Sequence, residues 1–188
     1  MTSFTTHSIN TAPTGSKQLL EDARSAYSFV PNLLATMATS PALLEGYMTL
    51  AGIFNKSNLS ETERQIILMT NNRLNGCTYC MAAHTTISQM AKVPEDVIRA
   101  LRDNTPLADS RLEALRVFTA AVNQKRGWPD ECDIQAFLAA GYTEETILEV
   151  ILGTSLKVMS NYTNHIAQTK LDAAFAANAW TDPMKNAA

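Results

Sequence analysis

The chain has 188 residues, a formal net charge of −3, 46% hydrophobic residues, and only seven glycines and seven prolines. That length holds one domain with a sizeable core that needs no disulfide or metal as a prop. The weak charge excludes a large nucleic-acid or anionic-membrane footprint, and no apolar run reaches the roughly 18–20 residues of a membrane span.

In chain order, residues 1–16 (MTSFTTHSINTAPTGS) are polar and unpatterned, with no apolar core behind a basic start, so they are expected to form a flexible arm carrying His7. The same start points to a cytoplasmic protein. In a reducing compartment, a C-x-x-C pair is more readily catalytic or metal-binding than a static bridge. From residue 17 onward the punctuation is helical. Pro31, Pro41, Ser60, Pro94, Pro106, Gly127 with Pro129, Gly141 and Pro183 separate segments whose apolar positions recur at three and four.

The expected helices are 17–28, 32–39, 41–56, 61–75, 77–91, 94–103, 109–126, 130–139, 143–168 and 171–179. No strand is expected, and the fold class is all-α: a single compact multi-helix domain over 17–180 with a tail at 181–188. Ser60 before ETER, with Glu63 three residues on, reads as a capping box, and Thr143 leads EET with acids at the positive helix end.

Helix 77–91 opens on NGCTYCMAAH, which puts two of the three cysteines and one of the three histidines into eight positions. At about 100° per residue, Cys80 falls about 60° and His84 about 20° from Cys77, so all three share one face. Ile87 and Ala91 continue it, which places the cluster against packed protein. Cα atoms three apart on a helix are about 5 Å from one another, within disulfide reach. Cys77 follows Asn75-Gly76 at the helix start, where the dipole favours a thiolate, and His84 lies one turn past Cys80 as a proton partner. Three readings stand on these residues: a dithiol redox centre, a metal site, or cysteines serving as small core residues. No second C-x-x-C or histidine pair completes a tetrahedral zinc site.

The block LNGCTYCMAAH resembles the core motif of the carboxymuconolactone decarboxylase superfamily, in its alkyl hydroperoxidase D-like (AhpD-like), peroxidase-related branch. LSETERQIILMTNNRLNGC before the motif and SNYTNHIA near the end are also similar, and the resemblance covers roughly residues 17–175. It implies an AhpD-like helical domain and a thiol-dependent peroxidase acting on a hydroperoxide. Cys80 would be peroxidatic, Cys77 resolving, and His84 part of a proton relay, with an external dithiol as reductant. It requires neither cofactor nor metal, and implies a homo-oligomer, trimer or hexamer, for which helices 32–54 offer an apolar surface. Helix position favours Cys77 as the thiolate whereas the resemblance gives the first attack to Cys80; the two agree if Cys80 acts inside and Cys77, nearer the helix end, meets the reductant. The rivals are a decarboxylase of the same superfamily, which would not need both thiols, and a weakly active redox-sensing helical oligomer.

The branch places a relay glutamate twelve residues before the first motif cysteine, where this chain has Gln65. Glutamine positions a proton but cannot take one. Glu61 lies on the same face one turn earlier, about 6 Å along the axis, so a relay through it requires a water or a shifted geometry. Glu63 is out of register. On helix 143–168, His165 and Tyr162 share an apolar face with Ile147, Ile151, Thr154 and Val158, which reads as core with a possible supporting role near the thiols. Asn161 and Asn164 point elsewhere and are assigned to the surface. Cys132, flanked by acids in PDECDIQAF, reads as structural, and Phe54, Phe118, Trp128 and Phe175 as core.

Overall fold

A computed structural model describes residues 4–182. Among the described residues nine α-helices are formed: α1 Thr14–Tyr27, α2 Asn32–Met37, α3 Pro41–Phe54, α4 Glu61–Leu74, α5 Thr78–Met90, α6 Glu95–Asp103, α7 Ser110–Gln124, α8 Glu131–Ala139 and α9 Glu144–Ala167. A short 3-10 helix, Ala173–Asn178, follows. No strand occurs among the described residues. Pro183 and the tail from 183 onward lie outside them.

The helix at the centre is α4. It packs against α5, α6, α7 and α9, and every residue from Gln65 to Asn72 is buried. Its start is the expected capping box: Ser60 N–H donates to Glu63 Oε2 at 2.8 Å, and Glu63 N–H donates to Ser60 Oγ at 3.3 Å. The other Glu63 oxygen accepts from Arg111 Nη1 at 2.7 Å and from the Tyr142 hydroxyl at 3.2 Å, tying α4 to α7 and α8's exit. Its end is a Schellman turn. Gly76 takes φ +64°, Gly76 N–H reaches Arg73 O at 2.9 Å, and Cys77 N–H reaches Asn72 O at 2.9 Å. Cys77 is at once the last residue of that turn and the N-cap of α5, so no spare residue separates the two helices.

Two apolar clusters result. The larger gathers Phe54, Ile66, Met69, Phe118, Phe137 and Val150 around α4. The smaller lies between α1, α2, α5 and the 3-10 helix, and includes Leu20, Leu34, Tyr79, Phe175 and both motif cysteines. Gly153 lets α9 come close to α4, since a Cβ there would lie 2.7 Å from Ile67 Cγ2 and 2.9 Å from Phe54 Cζ.

Four expectations are corrected. First, α1 begins at Thr14, not 17, because Ser16 is buried and its hydroxyl donates to Ala38 O at 2.8 Å. The arm before it lies on α2, with His7 N–H donating to Ala35 O and Ala12 buried. Second, the segment expected as helix 171–179 is a 3-10 turn that folds back onto α5. Third, α9 is oriented opposite to its apolar pattern: Ile151, Val158, Tyr162 and His165 are exposed, while Lys157, Ser160, Asn161 and Asn164 face the interior. Trp128 is also 83% exposed, so it is not core, and Cys132 is an exposed free thiol on α8.

Candidate active site

The site forms where the α4–α5 turn meets the inward row of α9. Cys77 and Cys80 are reduced and only 1% and 2% exposed. Asn164 reaches them from α9, its Nδ2 donating to Cys80 Sγ at 3.2 Å and to Cys77 Sγ at 3.7 Å, so one amide serves both sulfurs. Burial opposes a charge on Cys80, but the Cys77 thiol, the Lys157 ammonium, Asn161 and Ser160 together outweigh it and bring its pKa down to about 5. The hydrogen bond to Cys80 holds the proton on Cys77, with burial and the neighbouring charge adding to it, so Cys77 stays a thiol well above the ordinary range. The surroundings thus favour the charge on Cys80 and the proton on Cys77, although the dipole alone favours Cys77.

His84 stands one turn on from Cys80. Its Nδ1 is 2.9 Å from Gln65 Oε1, and its Nε2 is 3.0 Å from Lys157 Nζ. Gln65 Nε2 donates to Glu61 Oε1 at 2.8 Å. A carboxylate only accepts, so the amide nitrogen must face Glu61 and the amide oxygen must face His84. That oxygen accepts in turn, so the imidazole proton is on Nδ1 and Nε2 is bare toward the ammonium. Burial first, and the Lys157 charge second, hold His84 neutral, well below the usual imidazole value. The row runs Glu61, Gln65, His84, Lys157 without an intervening water.

Lys157 is 1% exposed, and among the described residues no carboxylate pairs with it. Cys80 lines the same cavity, and the Lys157 charge favours its thiolate. Behind the sulfurs, Asn161 Nδ2 donates to Asn72 Oδ1 at 3.0 Å, Asn75 Nδ2 to Asn161 Oδ1 at 2.9 Å, and Asn123 Nδ2 to Asn75 Oδ1 at 3.1 Å, while Asn72 Nδ2 reaches Cys80 O at 3.3 Å. This chain of amides locks α4, α7 and α9 to the turn that carries the cysteines.

A cavity of about 60 Å³ opens onto Cys80, His84 and Lys157, walled by Tyr27, Tyr47, Tyr79 and Phe175 among others. The Tyr79 hydroxyl donates to Asp172 at 2.5 Å and accepts from Leu33 N–H, which pins α2 and the C-terminal segment over the site. Cys77 does not line this cavity, so the expected division in which Cys77 is the more accessible sulfur does not hold.

Of the residues singled out in the sequence, Cys77, Cys80, His84, Gln65 and Glu61 converge. Tyr162 and His165 do not; they stand on the opposite face of α9. Lys157 and Asn164 were missed, because the helical wheel of α9 ranks faces by apolarity and these lie on the polar one. A lysine flanked by Leu156 and Val158 in SLKVMSNYTNH, on the same face as Asn164, was the available signal. Among the described residues no cluster of three His, Cys, Asp or Glu side chains has a metal-binding arrangement. None of the described helices is long and apolar enough to cross a membrane.

Among the described residues the chain is all-helical and buries both cysteines of a C-x-x-C-x-x-x-H segment at a helix start. The profile of the carboxymuconolactone decarboxylase family matches residues 41–123 of this chain. The fold superposes on an alkylhydroperoxidase AhpD core, an uncharacterized peroxidase-related protein of Ralstonia eutropha JMP134, with TM-score 0.81, 20% identity, and coverage of 92% of this chain and 93% of that one. It is also similar to a peroxidase-related protein of Silicibacter sp. TM1040 (TM-score 0.76, 21% identity, 87% and 88% covered). A third similar structure is the debrominase Bmp8 in complex with 2,3,4-tribromopyrrole (0.74, 17%, 88% and 89%). No curated protein matches the sequence.

Proposed function

We propose that the protein is a thiol-dependent hydroperoxide reductase in which Cys80 is the attacking sulfur and Cys77 the resolving one. The observation that carries this reading is the asymmetry of the pair's surroundings: Asn164 donates to both sulfurs, but Cys80 lines the cavity with His84 and Lys157, where the nearby ammonium favours its thiolate. Cys80 attacks the terminal oxygen of the hydroperoxide, the O–O bond breaks, and the sulfur becomes a sulfenic acid as the alkoxide departs. The Cys77 thiol then condenses with the sulfenic acid to a disulfide and water, and an external dithiol reduces the disulfide. His84, held through Gln65 by Glu61, orients the Lys157 ammonium beside the sulfur. The walls are apolar and aromatic, which suits a small organic hydroperoxide.

The test is to mix reduced protein with an organic hydroperoxide and follow thiols by mass spectrometry. Wild type should give a 77–80 disulfide, and Cys77→Ser a sulfenic acid at Cys80. If Cys80 reacts no faster than a free cysteine, the reading is wrong. The debrominase relative shows that this fold also carries dehalogenation, so a bromopyrrole belongs in the same assay; turnover that survives in Cys80→Ser would instead favour a decarboxylase-type activity.

A further inference from the structure

We propose that Lys157 is the acid that protonates the departing alkoxide, so that the buried site passes through its oxidative half-reaction without exchanging a proton with solvent. This rests on the peroxidase reading and adds to it a catalytic residue that the C-x-x-C-x-x-x-H motif does not contain.

The argument begins from charge. In the resting site a thiolate and an ammonium share a cavity walled by Tyr47, Tyr79 and Phe175, and among the described residues no carboxylate balances Lys157. Attack on the peroxide turns the thiolate into a neutral sulfenic acid and moves its negative charge to the alkoxide oxygen. The ammonium is then a buried cation whose only anion is that oxygen, and an unpaired buried charge is strongly disfavoured. Transfer of one proton from Lys157 to the alkoxide removes both charges at once.

The other candidate acids are committed elsewhere. The His84 proton is on Nδ1, bonded to Gln65 Oε1, while Nε2 accepts from Lys157. The Tyr79 hydroxyl donates to Asp172. Tyr27, Tyr47 and Tyr79 all hold their protons more tightly than a free phenol, burial being the first cause in each. The Cys77 proton is required later, for the water released in disulfide formation. Reduction of a hydroperoxide to alcohol and water takes up two protons, and the site contains two that are free to move, one on Lys157 and one on Cys77. After the external dithiol has reduced the disulfide, the Cys80 thiol returns its proton to the Lys157 amine and the ion pair is restored.

The experiment counts protons. Reduced protein at pH 7 in weak buffer with an indicator dye is oxidised once by tert-butyl hydroperoxide, and the proton uptake is set against disulfide formed. Wild type should take up none. Lys157→Arg keeps the cation, and with it the thiolate, but a guanidinium does not give up its proton, so it should take up one per disulfide. Its rate with the alkyl hydroperoxide should fall by about 10²-fold or more, yet stay within a few-fold of wild type with a peroxyacid, whose carboxylate leaves without a proton. Uptake of one proton by wild type, or an equal rate loss with both oxidants, overturns the proposal; should the arginine variant fail to fold, the wild-type count decides alone. If wild type forms no disulfide with either oxidant, the peroxidase reading itself fails, and this inference with it.

Discussion

Lys157→Met tests the electrostatic core of the site. Cys80 is brought down from an ordinary 9.0 to about 5, in favour of the thiolate. Burial opposes that shift, so the stabilising contributions of Cys77, Lys157, Asn161 and Ser160 exceed it. One cation within a few ångströms is worth about 1–3 units, so the variant should titrate at about 6–8. At pH 7 its thiolate fraction would lie between about 90% and about 10%, against nearly full ionisation in wild type. The assay is the ultraviolet absorbance of the thiolate against pH in Cys77→Ser and Cys132→Ser backgrounds, which leave one sulfur to report. A midpoint that stays within half a unit of wild type would refute the assignment of Lys157 as the thiolate's counter-ion.

Other outcomes follow from the same geometry. Gln65→Glu would set a second carboxylate where the amide now donates to Glu61 at 2.8 Å, so alone it should destabilise by about 1–3 kcal/mol and slow oxidation; the exchanged pair Glu61→Gln with Gln65→Glu should recover both, as read by chemical denaturation and peroxide kinetics. Gly153→Ala should destabilise by about 1–3 kcal/mol in denaturant titration, since its Cβ meets Ile67 and Phe54 inside 3.0 Å. Glu63 is held below the usual carboxylate value: burial opposes this, and its bonds to Ser60 and then Arg111 outweigh it. Its depressed folded value means that its contribution is present above the unfolded value near 4.5 and is lost as pH falls through the folded one. Melting curves of Glu63→Gln and wild type should therefore differ at pH 7 and converge in acid.

Much of this was readable from local chemistry. Ser60 with Glu63, and Gly76 before Cys77, are signals a chain carries in a few adjacent residues, and they fix where α4 ends and α5 begins. The single face of Cys77, Cys80 and His84 follows from helix period alone, as does the shared face of Glu61 and Gln65, although their direct contact at 2.8 Å replaces the water expected between them. What the period could not give is which face of α9 turns inward. The apolar stripe of Ile151, Val158 and Tyr162 was taken for the core side, yet Lys157, Asn161 and Asn164 occupy it, because their partners come from α4 and α5 more than seventy residues away. Polar burial is paid for by pairs that no window of sequence contains. Trp128 shows the converse: an aromatic ring predicts core only where another element arrives to cover it.

The junction at Gly76 and Cys77 also governs how relatives can be compared. Since the last residue of the α4 turn is the first cap of α5, one inserted or deleted residue there would rotate α5 by about 100° and slide it by about 1.5 Å relative to α4. Such a change would carry Cys80 and His84 away from Gln65 and Asn164 together. The eleven positions between Gln65 and Cys77 are therefore a ruler of fixed length. Any alignment of active relatives that opens a gap inside it is out of register.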